Sequence, residues 1–167
     1  MRTHSLIGRL LTVGALGVAV LAAAATPAAA APDHGRPFHA SLQVDVAAPA
    51  ADGCEELSGT GFASHMGRIT ESGEACADGT GVSTWTAANG DTITFYFYTV
   101  PTGPPNADGS LPVEFVCYAI EGTGRFVDVD VDGALQALVY PAADGSAHLV
   151  AWLDSTIYYD ASSRSSG

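Results

Sequence analysis

Strict alternation of apolar and polar residues constrains this chain more than any other feature. Phe38, Ala40, Leu42, Val44 and Val46 interleave with His39, Ser41, Gln43 and Asp45, the period of two that sends successive side chains to opposite faces of a sheet. A helix with this pattern would smear its apolar residues around the whole axis, so the segment reads as a half-buried strand. Further runs of strand-forming residues follow at 60–69, 80–85, 91–100, 112–121, 125–131, 134–140 and 147–159, each bounded by Gly, Asn, Asp or Pro. Eight candidate strands result, with no stretch of helical period among them.

The connections suit tight antiparallel pairing. Asn89-Gly90-Asp91 sits between two alternating runs, and Asn and Gly tolerate the positive φ that a short hairpin turn requires. Ala142-Ala143-Asp144-Gly145 reads as a second turn, and 101–109, with consecutive Pro104 and Pro105, as a stiff surface loop. Gly-Thr-Gly recurs at 59–61, 79–81 and 122–124, where glycine permits the bends of a barrel corner. The expected fold class is all-β: a closed eight-stranded antiparallel barrel, with a β-sandwich as the alternative. In an eight-stranded barrel the interior either fills with side chains or holds one small ligand.

The N-terminus reads as a secretory signal. Arg2, His4 and Arg9 precede an apolar run at 10–25, too short and too Ala-rich for a membrane span, and Ala28-Ala29-Ala30 offers small residues for cleavage before Ala31. The expected organisation is a signal peptide at 1–30, one barrel domain at 31–160 and a disordered polar tail at 161–167, exported by the general secretory pathway. Loss of Arg2 and Arg9 with the signal leaves the remainder more acidic still than the −12 of the whole chain. That balance disfavours nucleic acid and anionic membrane surfaces as partners, because both demand basic residues. No feature fixes an oligomeric state.

Export also places the three cysteines in an oxidising compartment. Cys54 and Cys76 occupy polar, Gly-rich segments and are the expected disulfide, with Cys76–Cys117 as the rival pairing. Cys117 lies mid-strand, where a buried inert thiol is the ordinary reading and a nucleophile the rarer one.

The order of Gly61-Phe62-Ala63-Ser64-His65-Met66-Gly67-Arg68-Ile69-Thr70, Ala88-Asn89-Gly90-Asp91 and Glu121-Gly122-Thr123-Gly124-Arg125-Phe126 resembles that of secreted bacterial members of the allene oxide cyclase barrel-like group, similar in fold to plant dirigent proteins. Gly-Thr-Gly-Arg-Phe carries most of the likeness. The resemblance implies an eight-stranded antiparallel barrel with a lumen over nearly all of the exported chain. It departs at Glu121, where the group usually has another glycine, and after Phe126, where Val127-Asp128-Val129-Asp130-Val131-Asp132 replaces a small-residue turn. No motif here carries the plant cyclase's catalytic residues, so the resemblance does not extend to that activity.

Site candidates are few. Asp128, Asp130 and Asp132 before Gly133 match the first half of a calcium loop, but Val139 stands where the closing Glu belongs. The simpler reading is a strand with valines inward and carboxylates in water, so no metal and no cofactor is expected. Elbow serines, zinc-binding His pairs, phosphate loops and Cys-x-x-Cys are all absent. His65 and His148 read as strand histidines able to act near neutral pH. The best sign of binding is aromatic: Ile93, Phe95 and Phe97 form one face of their strand, and Thr94, Tyr96 and Tyr98 the other, a face suited to a ligand or a wet rim that Tyr118 and Trp152 could extend. Three functions are open: binding of a small apolar or aromatic molecule in the lumen, an isomerase or cyclase using an inward His65, Glu114 or tyrosine, or a structural protein with a filled barrel.

Overall fold

The structure is a computed structural model that describes residues 34–160. The expected signal peptide and polar tail lie outside the described residues. Eight strands, β1 (Arg36–Val46), β2 (Cys54–Ala63), β3 (Gly67–Cys76), β4 (Thr80–Ala87), β5 (Thr92–Pro101), β6 (Leu111–Gly122), β7 (Asp130–Pro141) and β8 (Ala147–Tyr158), follow one another up and down. Each pairs antiparallel with its neighbours, and β8 returns to β1 to close the barrel. The barrel expectation holds, and the sandwich alternative falls because no sheet edge is left free.

Two boundary expectations fail, in opposite directions. The single run at 60–69 is the end of β2 and the start of β3, separated by a turn at Ser64-His65-Met66 in which His65 takes φ 68°. His65 is therefore a turn residue and not a strand histidine. The separate runs at 125–131 and 134–140 give way to a 3-10 turn at Gly124–Phe126 followed by one long strand, β7. Polar, Gly-rich stretches at 54–59 and 70–76 join β2 and β3 because their backbones pair in register from Cys54 opposite Cys76 to Ala63 opposite Gly67. Ladder hydrogen bonds need no apolar side chain. Gly61 and Gly73 suit this tightly curved region: a Cβ on either would lie 2.3 Å from Ser41 O or 2.2 Å from Val82 O, so only glycine lets the backbones approach.

Connectivity gives the barrel two unlike ends. The β2–β3, β4–β5 and β6–β7 connections and both ends of the described chain lie at one end; the β1–β2, β3–β4, β5–β6 and β7–β8 turns lie at the other. At the first end, Phe126 from the 3-10 turn, Tyr159 beyond β8 and Met66 from the β2–β3 turn fold across the opening. Phe126 and Tyr159 pack with their rings tilted by 59°, at 5.0 Å between centroids. Beneath them Phe38, Ile93 and Ile157 are fully buried and Val131 nearly so. This end is a solid core.

The turns at the other end share a different chemistry. Asp52-Gly53-Cys54, Asp78-Gly79-Thr80, Asp108-Gly109-Ser110 and Asp144-Gly145-Ser146 each hold their glycine at positive φ, between 83° and 89°. In each, the Asp carboxylate accepts the backbone N–H two residues on, at 3.0 to 3.1 Å. Such turns hold the strands together without contributing an apolar side chain to plug the barrel.

Candidate functional site

A cavity of about 230 Å³ occupies the half of the lumen beneath the Asp-Gly turns. Its wall reaches the rim, since it includes Val46, the last residue of β1, Cys76, the last of β3, and Ala147, the first of β8. Aliphatic lining comes from Val44, Leu57, Leu135 and Leu149, and aromatic lining from Trp85, Phe95, Phe97 and Phe115. Trp85 and Phe95 pack at 4.7 Å between centroids, and Phe97 meets Phe115 edge to face at 5.5 Å. These rings sit on neighbouring strands at inward positions, so one side of the cavity is an aromatic wall.

Set into this apolar wall is a carboxyl group. Glu71 follows Ile69 by two residues on β3 and so faces inward with it. The Ser83 hydroxyl on β4 donates to Glu71 Oε1 at 2.6 Å. Its other oxygen, Oε2, is buried and lacks a partner of ordinary hydrogen-bond geometry. Burial pushes the Glu71 pKa above its usual 4.5, while Ser83 and, less strongly, the Trp85 indole pull it back. The Glu71 carboxyl has Ser83 and Trp85 as neighbours but no cation among the described residues, and a buried carboxylate without one is costly to the folded protein. It is also the feature from which a ligand gains most.

The remaining polar lining is sparse. Glu55 on β2 and Thr99 on β5 contribute near the rim, and Cys117 on β6 lies deeper. Burial raises the Cys117 thiol to about 11, against a hydrogen bond with the Leu135 backbone and with a small push from Asp132. It is a free, buried thiol, in the protonated form at neutral pH and therefore unreactive as a nucleophile.

The aromatic residues expected from the sequence to form a ligand face point the other way. Thr94, Tyr96 and Tyr98 alternate with the buried Ile93, Phe95 and Phe97 and stand on the outside of β5. Tyr98, Tyr118 and Trp152 are 44%, 44% and 45% exposed. Tyr96 and Tyr118 do come together, at 5.3 Å between centroids, and Thr94 bonds Thr84 across the β4–β5 pair at 3.0 Å, but on the outer surface. None of the five lines the cavity. In a closed barrel the larger apolar set turns inward, and the residues with a polar tip are left to water.

His65 is also remote from the lumen cavity. Its Nε2 meets Pro37 O at 3.0 Å and its ring packs on Tyr159 at the plugged end. Glu114, weighed as an inward acid, faces outward and accepts from Gln136 Nε2 at 2.6 Å. His39 pairs with Asp154, and His148 with Asp45 at 2.9 Å, on the outside of the β1–β8 seam. Arg125 pairs with Asp91 at 3.4 Å. Cys54 and Cys76 form the disulfide across a directly opposed β2–β3 pair, which excludes the Cys76–Cys117 pairing.

Asp128 lies in the turn before β7, and Asp130 and Asp132 lie on the outer face of β7, while Val131 points inward. Among the described residues no group of three His, Cys, Asp or Glu side chains converges as a metal site. Glu71 was hidden in the sequence because 70–76 looks like a loop, and Ser83, though in a run that reads as a strand, has no partner there until β3 is placed beside it. Continuing the period of two from Ile69 through Glu71, Gly73 and Ala75 would have placed that carboxyl on the inner face.

No family model, curated protein or solved structure matches this chain.

Proposed function

We propose that this barrel binds a small molecule with an apolar or aromatic body in the open half of its lumen. The observation that carries the reading is a preformed cavity of about 230 Å³, aromatic on one side, with the Glu71 carboxyl group in its wall. Ligand sites are typically apolar clefts with few oriented polar groups. An apolar cavity of about 150 Å³ accepts benzene, and drug-sized ligands need about 300 Å³ or more. The size therefore suits a body of one ring or a short branched chain. A barrel serving only as a solid structural unit would gain stability by filling this space. The resemblance of the Gly122 to Phe126 segment to barrel-like cyclase relatives agrees with a lumen but does not name a ligand.

Toluene uptake tests the reading, followed by the emission of Trp85 and by a rise in melting temperature. Leu135→Trp, which fills the cavity, is expected to abolish uptake, whereas Tyr118→Ala on the outside leaves it unchanged. Uptake that survives Leu135→Trp, or is absent from the native chain, removes the lumen as the site. Native mass spectrometry of protein secreted by its own host would then show which molecule travels with it.

An isomerase or cyclase is the second reading, and Glu71 is the observation that favours it. Burial-raised carboxyls are suited to proton transfer near neutral pH, and this one faces the cavity.

A further inference from the structure

The charge of the barrel is divided between its ends. Of the described arginines, Arg36 begins β1, Arg68 is the second residue of β3 and Arg125 lies in the 3-10 turn, so all three belong to the plugged end. The rim of the cavity carries Asp52, Asp78, Asp108 and Asp144 in its turns and Glu55 in its wall. His148, the basic-capable side chain of β8 near that rim, faces outward and is bonded to Asp45. Among the described residues, those at the rim repel an approaching anion and draw in a cation. Inside, the rings of Trp85, Phe95, Phe97 and Phe115 line the cavity, and aromatic π-systems attract cations most strongly where water is excluded. In the wall of this cavity lies the Glu71 carboxyl, which has Ser83 and Trp85 as hydrogen-bonding neighbours and, among the described residues, no cation beside it.

We propose that the lumen takes a small lipophilic cation: a protonated primary amine on an aromatic or aliphatic body, its ammonium paired with the Glu71 carboxylate in the cavity wall and its body lying against the Trp85–Phe95 and Phe97–Phe115 wall. The proposal rests on the lumen-binding reading and specifies its ligand class. An ammonium supplies the countercharge that this buried carboxylate lacks, in a charge-assisted hydrogen bond. A carboxylate or phosphate ligand would set a second buried negative charge beside the first, and a neutral alcohol would hydrogen-bond without supplying the countercharge.

Three isosteric probes separate these classes: benzylamine, benzyl alcohol and benzoate, titrated calorimetrically into protein produced from the full chain near neutral pH. Benzylamine is expected to bind about tenfold or more tighter than benzyl alcohol, and benzoate not at all. Glu71→Gln should erase the preference for the amine while leaving the affinity for the alcohol within about threefold. If that variant does not fold, the native protein gives the same answer by pH. Protonation of Glu71 should cancel the amine preference as pH falls, with benzylamine itself still cationic. The other titratable groups in the cavity wall are Glu55 on β2 and Cys117 on β6, and Glu55→Gln should leave that pH dependence in place. Benzyl alcohol binding as well as the amine, or an amine preference that survives Glu71→Gln, overturns the amine assignment and leaves the lumen reading standing. Binding of none of the probes, with toluene also excluded, overturns both.

Discussion

The two ends of this barrel are built from the same strands and yet differ in nearly everything that matters for function. At one end the connections donate apolar side chains: Phe126 from the 3-10 turn, Met66 from the β2–β3 turn and Tyr159 beyond β8 close over Phe38, Ile93 and Ile157. At the other, four Asp-Gly turns reverse the chain with hydrogen bonds alone, and a cavity of about 230 Å³ is left beneath them. The lesson is that an eight-stranded barrel does not decide by strand number whether it is filled. What its loops contribute decides. Plugging one end fixes the scaffold, and leaving the other unplugged places the buried Glu71 carboxyl in the wall of a cavity.

The strongest test of this division is paired truncation. Phe126→Ala should cost about 3–5 kcal/mol, because it empties a closed core, whereas Phe115→Ala should cost under about 2 kcal/mol, since that ring already borders empty space. Chemical denaturation of the two variants checks the ordering, and equal losses would mean that the halves are packed alike. Reduction of the Cys54–Cys76 bridge, which spans 22 residues of sequence, comes next. Chain entropy assigns such a bridge about 3 kcal/mol, or roughly 10 °C in Tm. A melt with and without reductant measures it.

Enlargement gives a smaller contrast with the opposite sign of interest. Ala63→Leu in the plugged half should cost about 1–3 kcal/mol through overpacking, and Ala75→Leu, against the cavity, close to nothing. Should both be tolerated, the plugged end has slack that its burial does not suggest.

The smallest effect lies in pH. Burial raises Glu71 above 4.5 in the folded chain, so the folded chain keeps this proton to higher pH than the unfolded one. The associated stability is complete below about 4.5 and is lost as pH rises through the folded-state pKa. Glu71→Gln removes the loss. Its Tm relative to the native chain should therefore climb from acid to neutral pH, and a constant difference would place Glu71 in a solvated setting.

Much of this molecule was legible as sequence. Alternation in β1 and β5, the Asn89-Gly90 hairpin and the acidic balance follow from residue types alone, because side-chain period and turn stereochemistry are local properties. The strand count was reached through two errors that cancel, one hairpin read as a strand and one strand read as two. Polar β2 and β3 were hidden because their place in the sheet depends on backbone partners far along the chain.

The orientation of each face was hidden for the same reason. Both faces of β5 are aromatic, one of phenylalanine and one of tyrosine, and period alone cannot say which is inside. Sequence by itself determined that this chain makes alternating strands joined by tight turns, since those choices are settled within a few residues. Tertiary structure alone decided that Phe95 and Phe97 line the lumen while Tyr96 and Tyr98 meet water, that Glu71 points inward, and that one end is plugged. Each of those outcomes requires the register of several strands at once, together with the volume their side chains leave when the barrel closes.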